Sequence, residues 1–189
     1  MKKQPFKEGK EREYHLVNDL IAYNSDIEYV RDSTKQEDID KHFDKIVKNT
    51  KTNQIIKLDA KSPSKFGDKY FWVEDMAVYA RNKHGIPRLG SIHGEADWMA
   101  WEMSDHWLMG RRTYLEHIMD TKVDKSNPTI EPRAEKDIDA YLYKLRGRED
   151  RGDKISLFCL DDLDQKHFRK IPKLPHKKEK KKVKINELF

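Results

Sequence analysis

Asp59 and Lys61 stand two residues apart in the run Gln54-Ile55-Ile56-Lys57-Leu58-Asp59-Ala60-Lys61, and Asp44 opens the shorter run Asp44-Lys45-Ile46-Val47-Lys48 upstream. Both runs read as strands, and Asn49-Thr50-Lys51-Thr52-Asn53 between them has the composition of a hairpin turn. Side chains alternate faces along a strand, so Lys57, Asp59 and Lys61 share one face while Ile56, Leu58 and Ala60 turn toward a core. Asp59 and Lys61 then lie about 6–7 Å apart along the strand. A turn over 50–53 sets Asn49 against Gln54 and carries Asp44 opposite Asp59, with Cβ atoms about 4.5–5.5 Å apart.

Two carboxylates held this close repel, and a divalent cation offsets the repulsion. Mg²⁺ or Mn²⁺ suits the role, taking hard oxygen ligands and retaining waters. Such an ion polarises a phosphate oxygen and acidifies a bound water, and a neighbouring lysine steadies the charge that builds on phosphorus. The chemistry these residue types suit is hydrolysis of a phosphodiester. A one-residue slip of the hairpin would send Asp44 to the opposite face, so everything turns on the register.

The elements that must position these residues follow from periodicity. Residues 8–24 read as an amphipathic helix, with Tyr14, Val17, Leu20, Ile21 and Asn24 at three-to-four spacing and Glu11, Arg12, Asn18 and Asp19 between them. Residues 27–30 read as a short strand and 31–41 as a polar loop. After a loop over 62–69, the aromatic run 70–74 is β-prone, and a helix or loop extends to Pro87. Segments 96–103 and 106–111 flank a tight turn at Ser104-Asp105. Thr113-x-x-Glu116 has capping-box spacing and predicts a helix over 114–119. A loop over 120–131, a short helix over 134–145, a strand over 155–160 and a closing helix over 161–168, capped by Asp161 or Asp162, complete the reading. The expected class is α/β, a central mixed β-sheet flanked by helices.

Composition bounds the rest. The 189 residues suit one domain, 36% apolar and 39% charged, with mean hydropathy −1.01. No apolar run approaches the ~20 residues that span a bilayer, and none follows the basic start, so neither a membrane partner nor a secretory signal is expected. The single cysteine, Cys159, excludes an internal disulfide and a cysteine-built zinc site, and fits a reducing cytoplasm.

The net charge of +5 and pI near 9.0 belong to one segment. Residues 171–189 hold seven lysines and two glutamates, while 1–170 balance 32 basic against 32 acidic groups. The sequence therefore predicts a neutral folded domain over 1–170 and a flexible Lys-rich tail over 171–189. Lys177, Lys178, Lys180, Lys181 and Lys182 of that tail suit salt-dependent contact with phosphates. Arg111 and Arg112 are further candidates for phosphate contact. His93, His106 and His117 have no metal-ligand spacing and no evident carboxylate orienter, and read as structural or surface residues.

At the acidic pair and lysine the sequence resembles the PD-(D/E)XK nuclease superfamily. Its signature sets an Asp at the start of one strand, then Asp or Glu, any residue and Lys on the next; here these are Asp44 and Asp59-Ala60-Lys61. The resemblance extends to small phage-encoded members. Thr34, Glu37-Asp38 and His42-Phe43-Asp44 look like their Thr, acidic pair and His-x-Asp pattern, and Trp72-Val73-Glu74 looks like their Trp-[Ile/Val]-Glu strand. Gly94-Glu95-Ala96-Asp97-Trp98 is similar to their Gly-x-Ala-Asp-aromatic strand, and 146–150 to a later Arg-Gly-Arg run.

The resemblance implies a restriction-endonuclease-like core and a Mg²⁺- (or Mn²⁺-) dependent deoxyribonuclease. Asp44, Asp59 and Lys61 would be catalytic, with Asp44, Asp59 and Glu13 of the leading helix on the metal, Glu11 being the alternative to Glu13. Glu74 and His42 would support them, DNA would be the partner, and a bacterial host's cytoplasm the location. Lys45 intrudes where the family is more apolar, and no Pro precedes Asp44, which keeps Asp38 and Asp40 open as the first acid. Leu188-Phe189 resembles the end of bacterial sliding-clamp peptides, although Ile185 stands where a Gln is expected. The alternative reading is a non-catalytic nucleic-acid or protein-interaction module with a degenerate nuclease fold.

Overall fold

The hairpin forms in the expected register. Strand β2 (Lys45–Asn49) pairs antiparallel with β3 (Ile55–Lys61), Lys45 facing Leu58, Ile46 facing Lys57, Val47 facing Ile56 and Lys48 facing Ile55. The computed structural model describes residues 4–63, 66–77, 88–130, 140–146 and 153–175, and side chains throughout these except at 4–7, 127–130 and 142–146. β1 (Ile27–Asp32) pairs with the other edge of β2. β3 runs parallel to β6 (Trp98–Glu102), which continues antiparallel into β7 (His106–Arg111) and then β11 (Phe168–Pro172). This gives a six-stranded mixed sheet in the order β1-β2-β3-β6-β7-β11.

A second sheet has the order β5-β4-β10-β9-β8, built from β4 (Tyr70–Ala77), β5 (Arg88–Leu89), β8 (Asp124–Ile130), β9 (Leu142–Arg146) and β10 (Asp153–Cys159). Among the described residues three helices accompany the sheets: α1 (Gln4–Tyr23), α2 (Lys35–Lys41) and α3 (Arg112–Thr121).

Strand alternation sorts the core into two layers. On one face of the six-stranded sheet, Val47, Leu58, Ala100, Trp107 and Ile171 meet Leu16, Val17 and Leu20 of α1. On the other, Met99, Trp101, Leu108 and Phe168 meet Leu115, Ile118 and Met119 of α3 together with Phe71, Val73 and Phe158 of the second sheet. Each such burial is worth about 1.5–3 kcal/mol. The α/β class stands, but the second face is covered by α3 and another sheet where helices alone were expected. Among the described residues no helix is long and apolar enough to cross a membrane.

Several local expectations give way to tertiary pairing. Residues 142–146 form β9, held in register against β10, where helical spacing predicts a helix; 124–130 form β8 beside it where a loop is expected. Strand preference is set by the neighbours a segment can pair with more than by its own residues. Residues 78–87 and 131–139 lie outside the described residues. The closing helix is replaced by two 3-10 turns, Leu160–Asp162 and Gln165–His167, leading into β11, and Asp164, not Asp161 or Asp162, caps the second by accepting the Lys166 N–H.

The folded body also reaches past residue 170. Ile171 is buried in β11, the Lys173 ammonium meets Glu102 at 3.2 Å, and the Leu174 N–H donates to Asp19 at 3.0 Å. Buried Asp19 also accepts the Trp107 indole N–H at 2.8 Å, so both its oxygens are satisfied as burial demands. Lys177, Lys178, Lys180, Lys181, Lys182 and Leu188-Phe189 lie outside the described residues.

The polar segment before Asp44 is a helix, not a loop. Thr34 accepts the Glu37 N–H, and the Glu37 carboxylate accepts the Thr34 N–H at 2.8 Å, a complete capping box. Glu37 also binds Arg31 through two nitrogens at 2.7 and 2.8 Å. The Arg31 guanidinium, then the Thr34 N–H, pull the Glu37 carboxyl down to about 2. A depressed carboxyl stabilises the fold above its ordinary range, and that contribution is lost as pH falls toward the folded value. Glu37→Gln should therefore lower stability in urea titrations at pH 7, and the deficit should shrink steadily on acidification from about pH 4.5 to 2; a deficit independent of pH would contradict this.

Candidate active site

β2 stops one residue short of Asp44, and that end creates the site. The Asp44 N–H still donates to the Leu58 carbonyl at 2.7 Å, but its Oδ2 takes the Ala60 N–H at 2.8 Å, in place of a strand carbonyl. The carboxylate is thus clamped at the end of β3, beside Asp59. The Asp59 side chain is only 6% exposed, and its Oδ2 lies 2.7 Å from the Lys61 ammonium. Sealed from solvent, that oxygen has no well-aligned hydrogen bond.

Burial first, and then the neighbouring Asp44, push the Asp59 carboxyl up to about 8, against the pull of Lys61. Burial works against the Lys61 ammonium, but Asp59 above all, then Asp44 and Glu74, hold it above the ordinary lysine value. Burial thus favours the protonated form of Asp59, while Asp59 and Asp44 together favour the charged form of Lys61. Two carboxyl groups side by side at the end of one strand, one of them buried, make a hard-oxygen donor set. Asp44 and Asp59 fit a Mg²⁺ or Mn²⁺ ion on that ground.

Four further residues surround the trio. Glu13 approaches from α1; burial, then the charge of Asp44, raise its carboxyl, while Lys45 lowers it. Its Oε2 lies 3.1 Å from the Lys45 ammonium, which also meets Asp32 at 2.6 Å and sits 4.1 Å from the Tyr14 ring centroid, the side chain being 1% exposed. His42 closes α2 in the left-handed region (φ 52°), and burial, then the Lys61 charge, depress it. Glu74 of β4 reaches Lys61 through its charge. Asp38 of α2 is raised by burial and by Asp44, with Lys61 opposing.

Asp38 therefore belongs to this acidic cluster beside Asp44, a place that a loop over 31–41 would not have given it. The Thr34-x-x-Glu37 spacing was the signal for the helix that carries it. Gly94 is required here: a Cβ would stand 2.6 Å from the Lys41 carbonyl and 2.7 Å from the His42 Cβ. Asp40 lies 3.8 Å from the Arg88 guanidinium, and Arg12, between Glu11 and Glu13, binds Glu102 at 2.9 Å.

Other candidates fall elsewhere. Arg112 is built into the body, donating to Ala96 O, Ile92 O and Glu116 at 2.9, 3.0 and 2.7 Å, so it is not available to a phosphate as expected from its sequence. That bond also explains why the box predicted at Thr113 and Glu116 does not form: α3 starts earlier, with Arg111 at its N-cap and no side-chain cap. Arg111 is exposed, its guanidinium 4.9 Å from the Trp98 ring centroid. His93 does have carboxylate orienters, Asp75 at 2.9 Å and Glu116 at 3.0 Å, contributed by β4 and α3. Asp68, Asp105 and His106 bring ligand atoms within 4.8 Å of one another, a grouping the spacing did not suggest.

Compared with known proteins, the chain matches no family model, no curated protein and no solved structure.

The raised Asp59 carboxyl fixes a sign. Such a group supports folding fully below its ordinary value near 3.8, and that support is lost as pH rises through about 8. Asp59→Asn should therefore gain on the parent, in metal-free buffer, between about pH 4 and 8. At pH 8 the relative gain in Tm should reach at least about 2–4 °C, the shift that 1 kcal/mol makes in a chain of this size. A Tm difference flat across that range would mean that Asp59 ionises normally.

Proposed function

We propose that the chain is a metal-dependent deoxyribonuclease with a restriction-endonuclease-like core, hydrolysing phosphodiester bonds at Asp44, Asp59 and Lys61. The observation that carries this reading is the buried Asp59, its oxygen 2.7 Å from Lys61 and its neighbour Asp44 clamped by the Ala60 N–H. Asp44 and Asp59 would hold Mg²⁺ or Mn²⁺, with Glu13 reaching it from α1. When bound, the ion supplies Lewis acidity to a phosphate oxygen and to water.

The chain's own groups do the rest. Asp59 would hold the ion through the oxygen that now faces Lys61, so the lysine ammonium would be left to the substrate. Lys61 then faces the phosphate with a positive charge held by the strand, where it stabilises negative charge growing on the phosphoryl oxygens. Glu74 and His42 lie near enough to that lysine for its charge to be felt, Glu74 favouring the ammonium and His42 being depressed by it.

Lys61→Ala and Asp59→Asn should each lower Mg²⁺- or Mn²⁺-dependent cleavage of linear, circular or branched DNA by about 10²-fold or more. Circular dichroism should remain that of the parent. Undiminished cleavage by both variants would end the proposal.

A second reading, a non-catalytic module on the same fold, is favoured by one observation: Lys61 and Lys45 already occupy Asp59 and Glu13. Calorimetry with Mn²⁺ separates the two, since metal uptake without cleavage supports the module. The basic segment makes a separate prediction. Removing 176–189 should weaken DNA binding and flatten its salt dependence, while cleavage at saturating DNA persists; an unchanged salt slope would show the tail to be a bystander.

A further inference from the structure

A concavity of about 510 Å³, lined by Arg111, Thr113, Tyr114, His117, Lys166 and His167, opens beside the start of α3. Every lining side chain can donate a hydrogen bond, two are permanently cationic near neutral pH, and none is an acid. Arg111 rests over Trp98, 4.9 Å from the ring centroid, and among the described residues no carboxylate neutralises it. Lys166 is anchored by Asp164 at 2.6 Å. Tyr114 and His167 stack with centroids 4.0 Å apart and planes 9° from parallel. The Tyr114 hydroxyl accepts the Asp164 N–H at 2.9 Å, which fixes that aromatic platform.

The concavity has a defined relation to the acidic site. Asp59, Met99, Gly110 and Phe168 stand in one row across β3, β6, β7 and β11. Arg111 follows Gly110, so its side chain turns away from the Asp59 face and lies over Trp98, and His167 precedes Phe168. With strands about 4.8 Å apart, the groove's backbone lies roughly 10–14 Å from Asp59. A fixed aromatic stack beside an unneutralised guanidinium and two imidazoles suits a ligand that repeats anionic and flat groups.

We infer that this groove binds the sugar–phosphate backbone of a nucleic-acid strand, a phosphate resting on Arg111 and the imidazoles, and a sugar or base resting against the Tyr114–His167 stack. The ligand class rests on the phosphodiester reading of the Asp59 site, but binding here requires neither metal nor cleavage. The test uses the full chain in chelating buffer, with fluorescence anisotropy of a labelled single-stranded oligonucleotide and its duplex over a salt series.

Arg111→Ala should weaken binding several-fold and reduce the slope of log affinity against log salt by about 0.7 for the single strand or about 0.9 for the duplex, one phosphate's share. Lys51→Ala, which removes the same charge from the exposed hairpin turn, should change little. Parent-like binding by Arg111→Ala, or equal weakening by Lys51→Ala, overturns the inference. So does inorganic phosphate that displaces the strand as well as unlabelled strand does, since the groove would then be a small-anion site. If the parent binds through Arg111 yet cuts nothing with Mg²⁺ or Mn²⁺, the nuclease reading fails and this one stands.

Discussion

A carboxyl buried at the end of β3 is unfavourable on its own, and the surrounding structure is what keeps Asp59 there. Its neighbour Leu58 is fully buried against α1, among Val47, Ala100 and Trp107. Slipping β3 by one residue would send Leu58 to the acidic side and Asp59 into that apolar layer. At about 1.5–3 kcal/mol for each large side chain, the layer under α1 outweighs the repulsion between Asp44 and Asp59 and locks the register that causes it. The acidic site is in this sense a consequence of apolar packing on the opposite face of the sheet.

The same alternation accounts for Lys45. One residue past Asp44, it points to the α1 face, where a bare ammonium could not be buried. Asp32, Glu13 and the face of Tyr14 surround it and together make the burial tolerable. Glu13 is thereby held at the edge of the sheet, near enough to Asp44 for each charge to feel the other. The departure from an apolar strand after Asp44 thus supports the cluster from behind: one lysine on each face, Lys61 and Lys45, offsets the acids that converge at the mouth of β2 and β3.

What could be read from the sequence follows the range of the interactions involved. The hairpin is local, with polar turn residues between alternating strands, so its register and the shared face of Asp59 and Lys61 were legible, as was α1 from Val17, Leu20 and Ile21. The second sheet was not, because β9 acquires its conformation from pairing with β10 across a separate segment. His93 escaped for the same reason: Asp75 and Glu116 come to its two ring nitrogens from different elements. Helix α2 is the exception, a local signal passed over. Thr34 and Glu37 carry the capping box that was sought at Thr113 and Glu116, where Arg112 instead engages the glutamate.

The distribution of charge then separates two tasks that would conflict in one place. Asp38, Asp44, Asp59 and Glu13 crowd carboxyl groups at the mouth of the hairpin, which offers a polyanionic strand little besides Lys61. The proposed groove at Arg111 lies two strands away across the sheet, its arginine turned to the opposite face over Trp98. A phosphate at Arg111 would stand apart from the acids, so a strand could be captured there while the hairpin mouth still lacks its cation. Capture and chemistry could then be tuned independently: substitutions at the groove would act on encounter and its salt dependence, and substitutions at Asp59 or Lys61 on the reacting bond alone. Had the arginine stood on β3 itself, it would have paired with Asp59 and weakened both functions at once.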